Sequence, residues 1–158
     1  MGFGGAGSAI AAPGDTITIS GTAKASVADP ARLQKLQDLR FGDIMQPTTA
    51  GMVEIDAAGG IVANIDISTF PLNRGPSRFL VRGDPNRKFL VFLPNRIDIS
   101  NGTATMQVDR FRMNAVNGNV RLNALGLYDL VVGGRLQVAA LQQPGRYSGT
   151  FAVTVVYQ

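Results

Sequence analysis

The sequence predicts an all-β sandwich, on three observations. Apolar–polar alternation recurs in short runs along most of the 158 residues. Turn signals separate those runs about every 8–12 residues. No stretch carries a helical period of convincing length, and no linker divides two cores, so the chain reads as one domain with eight or nine short strands. Consecutive hairpins also close barrels, and the pattern alone leaves that alternative open.

Residues Met1–Asp15 are small, Gly/Ala-rich and free of charge until Asp15. With Ala9-Ile10-Ala11 as a small-x-small cleavage pattern, they read as the remnant of a secretory leader, and ordinary Gly-rich terminal chain is the alternative. A basic n-region and a long apolar stretch are missing, which places the true start upstream or implies trimming. Thr16–Val27 then alternates throughout. Ile17, Ile19, Gly21, Ala23, Ala25 and Val27 fall on one face, and Thr16, Thr18, Ser20, Thr22, Lys24 and Ser26 on the other. The apolar face shrinks from isoleucine to glycine and alanine, so Gly21 suits a close backbone approach.

Ala31–Gln37 is expected to be a turn of helix or an irregular lead-in, because Leu33, Leu36 and Leu39 are three apart. Leu39–Ile44 reads as strand. Met52–Asp56 and Ile61–Ile67 follow around a turn at Ala57–Gly60. Ser77–Arg82 and Lys88–Leu93 flank Gly83-Asp84-Pro85-Asn86 and are expected to form a hairpin. Thr103–Met113 alternates until its phase slips near Arg110 or Phe111, which predicts a β-bulge. Val120–Leu127 is a weaker strand, and Leu130–Val138 contains an expected break at Gly133-Gly134. Gln143-Pro144-Gly145 makes a turn. Tyr147 is expected to cap a loop carbonyl through its hydroxyl, as a buried tyrosine needs a partner. Thr150–Gln158 is the clearest strand, with Phe151, Val153, Val155 and Tyr157 in phase. It raises the question of what covers the groove beside it.

Composition narrows the chemistry. There is no Cys, His or Trp, so thiolate nucleophiles, imidazole bases, soft metal sites and disulfides are all excluded. No cofactor is expected, the carboxylates are scattered singly, and the chain reads as a non-enzyme. A hydrolase with two distant carboxylates is the residual alternative. Net charge is +4, with twelve Arg to three Lys. Arg74, Arg78, Arg82, Arg87, Lys88 and Arg96 face one acid, Asp84, within that stretch. Such a run meets an acidic surface or guards strand edges against unwanted pairing. Without an aromatic platform it gives no nucleic-acid signature. Arg82-Gly83-Asp84 and the sequon Asn101-Gly102-Thr103 both read first as turns. There is no apolar run long enough for a transmembrane helix.

In order along the chain stand Leu39-Arg40-Phe41-Gly42, Gly51-x-Val53-x-Ile55 with Gly59-Gly60, and Phe79-x-Val81-x-Gly83. They are followed by Val131-x-Gly133-Gly134-x-Leu136 and Pro144-Gly145-x-Tyr147-Ser148-Gly149-Thr150-Phe151, closing with Val153-Thr154-Val155-x-Tyr157. This order, over roughly Leu39–Gln158, resembles the secreted bacterial β-sandwich family related to spore coat protein U and the archaic chaperone–usher pilins. The resemblance implies an immunoglobulin-like Greek-key sandwich lacking its own last strand. It also implies a structural role in a pilus or fimbria-like filament assembled by donor-strand exchange. The implied partners are neighbouring copies, a periplasmic chaperone and an outer-membrane usher. The implied route runs through the periplasm to a cell-surface filament.

On that reading residues 1–15 are the leader, 16–27 the donor strand and 28–158 the pilin-like domain. Ile17, Ile19, Gly21, Ala23, Ala25 and Val27 form the donor face, and Phe151, Val153, Val155 and Tyr157 line the acceptor groove. The alternative is a monomeric, self-complemented secreted sandwich with an adhesive or ligand-binding role, in which Thr16–Val27 pairs within its own subunit.

Overall fold

Alternation becomes burial in the computed structural model, which describes residues 18–27, 32–69, 73–115 and 120–158. Thirteen strands are present among them, and no helix. Strand β1 (Thr18–Val27) buries Ile19, Gly21 and Ala23 and turns its hydroxyls and Lys24 outward. The next strands are β2 (Leu33–Gln37), β3 (Leu39–Met45), β4 (Gly51–Ile55), β5 (Ile61–Ala63) and β6 (Arg74–Gly75). Then come β7 (Ser77–Arg82), β8 (Lys88–Phe92), β9 (Arg96–Ser100) and β10 (Thr105–Met113). The chain continues through β11 (Val120–Arg121) and β12 (Leu127–Val138) to β13 (Gly145–Tyr157).

The strands form one curled mixed sheet, in the order β2-β7-β12-β10-β9-β13-β1-β3-β6. Off that path β5 pairs with β4, which joins β12, while β8 pairs with both β11 and β13. The two longest strands hold the curl together by changing partners along their length. β12 lies against β7 from Leu127 to Val132 and against β4 from Gly134 to Val138. At the handover, a Cβ on Gly133 would stand 2.0 Å from the Ile55 carbonyl oxygen, so only glycine fits. β13 lies against β1 as far as Val153 and then pairs with β8 from Thr154 to Tyr157. The side chains trapped inside the curl form a sandwich-like core that includes Phe41, Phe79, Leu130, Leu136 and Phe151.

Several expectations from the sequence are met. The bulge falls where the phase slips, with a register shift between Asp109 and Arg112 and Arg110 at φ 49°. The Ala57–Gly60 turn is held by the Asp56 carboxylate, which accepts from the Ala58 and Gly60 amides at 2.8 and 2.7 Å. Others are corrected. Residues 33–37 are strand, neither a turn of helix nor an irregular lead-in, because pairing with β7 and burial of Leu33 outweigh the three-residue leucine spacing, and Leu36 faces solvent. Ser77–Arg82 and Lys88–Phe92 do not form a hairpin. β7 pairs with β2 and β12, whereas β8 crosses to β11 and β13. The intervening turn is tied to the segment before β12 instead, through Gly83 N to Gly126 O and Asn86 N to Asn123 O. Gly133-Gly134 does not break β12, Ile61–Ile67 shortens to β5 with an isolated bridge from Ile44 to Ile67, and β9 arises where no strand was expected.

Across the bulge, Asp109 of β10 receives both Arg135 Nε (2.8 Å) and Arg135 Nη2 (2.9 Å) from β12. Gln107 and Gln137 add amide donors to the same carboxylate. The Arg135 hydrogen bonds, opposed by burial, hold the Asp109 carboxyl below the ordinary aspartate range. A depressed folded pKa means stability that is present above the unfolded pKa of about 3.9 and lost as pH falls through the folded value. Urea titrations should therefore show Asp109→Asn less stable than the parent at pH 6–7, with the difference closing below about pH 4. A gap that stays constant to pH 2 would refute this role for the carboxylate.

Candidate functional site

The slot between β3 and β13 is the feature with functional potential, and β1 fills it. Ile19 through Val27 runs parallel to Gly145 through Val153, and Thr18 through Ala23 runs antiparallel to Met45 through Leu39. β1 is therefore an interior strand with a hydrogen-bonded neighbour on each side. Of the residues expected to form a donor face, Ile19, Gly21 and Ala23 are buried, while Ala25 and Val27 are half-buried against the core. Ile17 lies outside the described residues. Ala25 stands beside Phe151 and Val27 beside Val153. Val155 and Tyr157 are not brought beside β1 in the described ladder. They are half-buried and pair with Val91 and Phe89 of β8.

The graded face has a steric cause. A Cβ on Gly21 would lie 3.3 Å from Ile99 Cδ1, 3.5 Å from Leu136 Cδ2 and 3.7 Å from Phe41 Cδ2. Three large side chains already fill the space under this position. Opposite Gly21 is Gly42, at φ 76°, in a bulge that turns Phe41 fully inward. Positive φ suits glycine because it has no Cβ to clash.

The bulge is clamped from beneath by Arg74, only 7% exposed. Its guanidinium donates to the carbonyls of Phe41 (2.7 Å), Ser68 (3.0 Å) and Asp43 (3.1 Å). Burial lowers the Arg74 pKa, partly offset by the nearby Asp43 carboxylate. On the other side of the strand Ser20 Oγ donates to Asp43 Oδ1 at 2.7 Å, pinning β1 against β3. At the start of β13 the buried Tyr147 hydroxyl donates to Gln143 O at 2.5 Å and accepts from Gln142 Nε2 at 3.0 Å. The expected cap is present, and it anchors the turn from which β13 leaves to meet β1.

Arg74 was not legible as a structural residue, because it stood among the basic run. The structure disperses that run. Arg78 pairs with Asp129, Arg82 donates to Gln34, and Arg87 pairs with Asp84 and lies over the Tyr157 ring at 5.1 Å. Arg82-Gly83-Asp84 is bound into its turn, with the Tyr157 hydroxyl donating to the Arg82 carbonyl. Asn101 is a turn-former. Its Oδ1 accepts from the Thr103 and Ala104 amides and its Nδ2 donates to Gln143 Oε1 at 3.1 Å.

A family model described as Domain of unknown function (DUF4402) matches residues 31–157. The chain belongs to the DUF4402 family. No curated protein matches it. The matched DUF4402 span begins after β1, so the strand that fills the slot lies outside it. Within the span, β3 and β13 are neighbours only through β1.

Gly21 gives the slot a direct test. Gly21→Ala should be tolerated, since the Ile99 side chain can give by a few tenths of an ångström. Gly21→Val should cost about 1–3 kcal/mol by overpacking, and hydrogen exchange should show the β1 amides opening first. Equal stability of the two variants would mean that β1 is not held by this packing.

Proposed function

We propose that this protein is a non-enzymatic structural subunit of an extracellular filament, and that β1 is the strand through which subunits join. The observation that carries the proposal is that a strand outside the DUF4402 span completes the interior of that domain. A separable strand of this kind supplies main-chain pairing on both edges and side chains for successive pockets, which is the physics of strand addition. Leaving one slot and entering an equivalent one restores the same pairing and the same pockets, which is the logic of swapping an element between copies. The order of motifs shared with spore coat protein U and the archaic chaperone–usher pilins supports the same reading. It brings with it a periplasmic chaperone and an outer-membrane usher as partners and the cell surface as destination.

A second reading has its own observation. In the structure β1 occupies the slot of its own chain, with a continuous parallel ladder along β13. A self-complemented monomer of adhesive or ligand-binding role follows if that pairing is permanent.

Burying Ile19 alone is worth roughly 2–3 kcal/mol, and two ladders of backbone hydrogen bonds add about 1 kcal/mol net for each bond. That total rivals the 5–15 kcal/mol by which domains of this size are usually stable. Deleting residues 1–27 should therefore leave a domain that unfolds or aggregates, and a peptide spanning Thr16–Val27 should restore a cooperative thermal transition. Ile19→Asp in that peptide should abolish the rescue, because an unpaired carboxylate in the slot costs more than about 3 kcal/mol. A truncated domain that folds stably without peptide would sink the strand-completion account. Size-exclusion chromatography and electron microscopy of exported full-length protein separate the two readings, as polymer supports the filament and persistent monomer the self-complemented form.

A further inference from the structure

Seating β1 also builds a second feature, on the outer face of the sheet. In the parallel register, Ser20 stands beside Arg146, Thr22 beside Ser148 and Lys24 beside Thr150. On the other side, Ser20 stands beside Asp43 and Thr22 beside Arg40. Even-numbered β1 residues point away from the core, so these groups share one surface. All of them except Thr150 line a cleft of about 560 Å³ that also includes Asn73 and the Gly21 and Gly42 backbone. Neighbouring strands are about 4.8 Å apart, so β3 and β13 hold their side chains roughly 10 Å apart with the β1 hydroxyls between them.

We infer that this cleft binds an acidic saccharide, one carrying carboxylate or sulfate groups on a hydroxyl-rich ring. Among the described lining residues, the exposed Lys24 and Arg146 bring positive charge to the cleft, while the carboxylate there, Asp43, is engaged by Ser20. The excess positive charge selects an anion. The hydroxyls of Thr22 and Ser148 and the Asn73 amide suit donors and acceptors spaced around a sugar. The described lining offers no exposed aromatic face on which a base would stack, since Tyr147 is buried, and this disfavours nucleic acid.

The cleft is composite. Ser20, Thr22 and Lys24 come from β1, whereas Arg40, Asp43, Arg146 and Ser148 come from β3 and β13. A ligand that touches both sets binds only the seated state and must stabilise it by linkage. The inference holds whichever chain supplies β1 in this register, so it stands apart from the filament proposal. If β1 comes from a neighbour, the cleft lies at the joint between two copies and its ligand opposes release.

The test uses the full chain and a galacturonate oligosaccharide, with titration calorimetry and amide hydrogen exchange. Saturable binding that weakens with added salt is expected, with none for a neutral malto-oligosaccharide. Lys24→Glu and Arg146→Glu should each lower affinity about tenfold or more. Arg112→Glu, on β10, should leave affinity unchanged. Ligand at 100 times its Kd should slow exchange of the β1 amides by about 100-fold. The inference is overturned by absence of saturable binding, by equal binding of the neutral sugar, or by full affinity in the Lys24→Glu/Arg146→Glu double variant. Equal or tighter binding of polyphosphate or a single-stranded oligonucleotide would overturn the saccharide class. Binding without any slowing at β1 would overturn the composite site. Because the readout needs no polymer, its failure leaves the filament proposal to stand or fall on its own test.

Discussion

The central constraint in this molecule is that a sheet interior must be continuous. β3 and β13 each present one edge to the same slot, and both edges carry backbone groups that need partners. β1 satisfies them together, bringing Ile19 and Ala23 into full burial and leaving room at Gly21 for Ile99, Leu136 and Phe41. Without it, Phe41 and Phe151 would lose the strand that flanks them in the sheet, and the curl would have a gap along its longest strand.

The surrounding structure is arranged to keep that slot in one register. The Gly42 bulge would be a soft point if Arg74 did not take up three carbonyl oxygens around it. A buried guanidinium so fully engaged is a rigid template, because removing any of its acceptors would leave a desolvated charge unsatisfied. Tyr147 fixes the start of β13 in the same way from the other side. Together they set the heights at which Leu39 and Gly149 flank Ala23. The slot is thus preorganised, a property shared by a permanently self-complemented domain and by one that passes its strand to a neighbour.

Much of this was legible in the sequence. A period of two reports which face of a strand is buried, so the inward residues of β1, β7 and β13 and the slip at Arg110 could be read directly. Alternation does not report the neighbour. Ser77–Arg82 and Lys88–Phe92 look like a hairpin because a strong turn joins them, yet the Gly126 and Asn123 carbonyls claim that turn and send the two strands to different partners. β2 was hidden because only Leu33 among its residues is buried. Arg74 was hidden because nothing in one sequence distinguishes a charge that faces water from one that ties carbonyls together. At the site, the apolar face of β1 could be matched with Phe151 and Val153 from alternation alone, whereas the parallel direction and the cleft on the outer face depend on which strands become neighbours.

The chain has no cysteine, so a disulfide across the β1–β13 ladder reports directly on which chain supplies the strand. Thr22 and Ser148 are register partners on the outer face, and adjacent-strand spacing falls within disulfide reach. If subunits exchange β1 as proposed, Thr22→Cys with Ser148→Cys should give covalently linked multimers when the exported protein is run on a non-reducing denaturing gel, collapsing to monomer on reduction. If the same material yields only internally bridged monomer, β1 stays in its own chain and the exchange account is wrong.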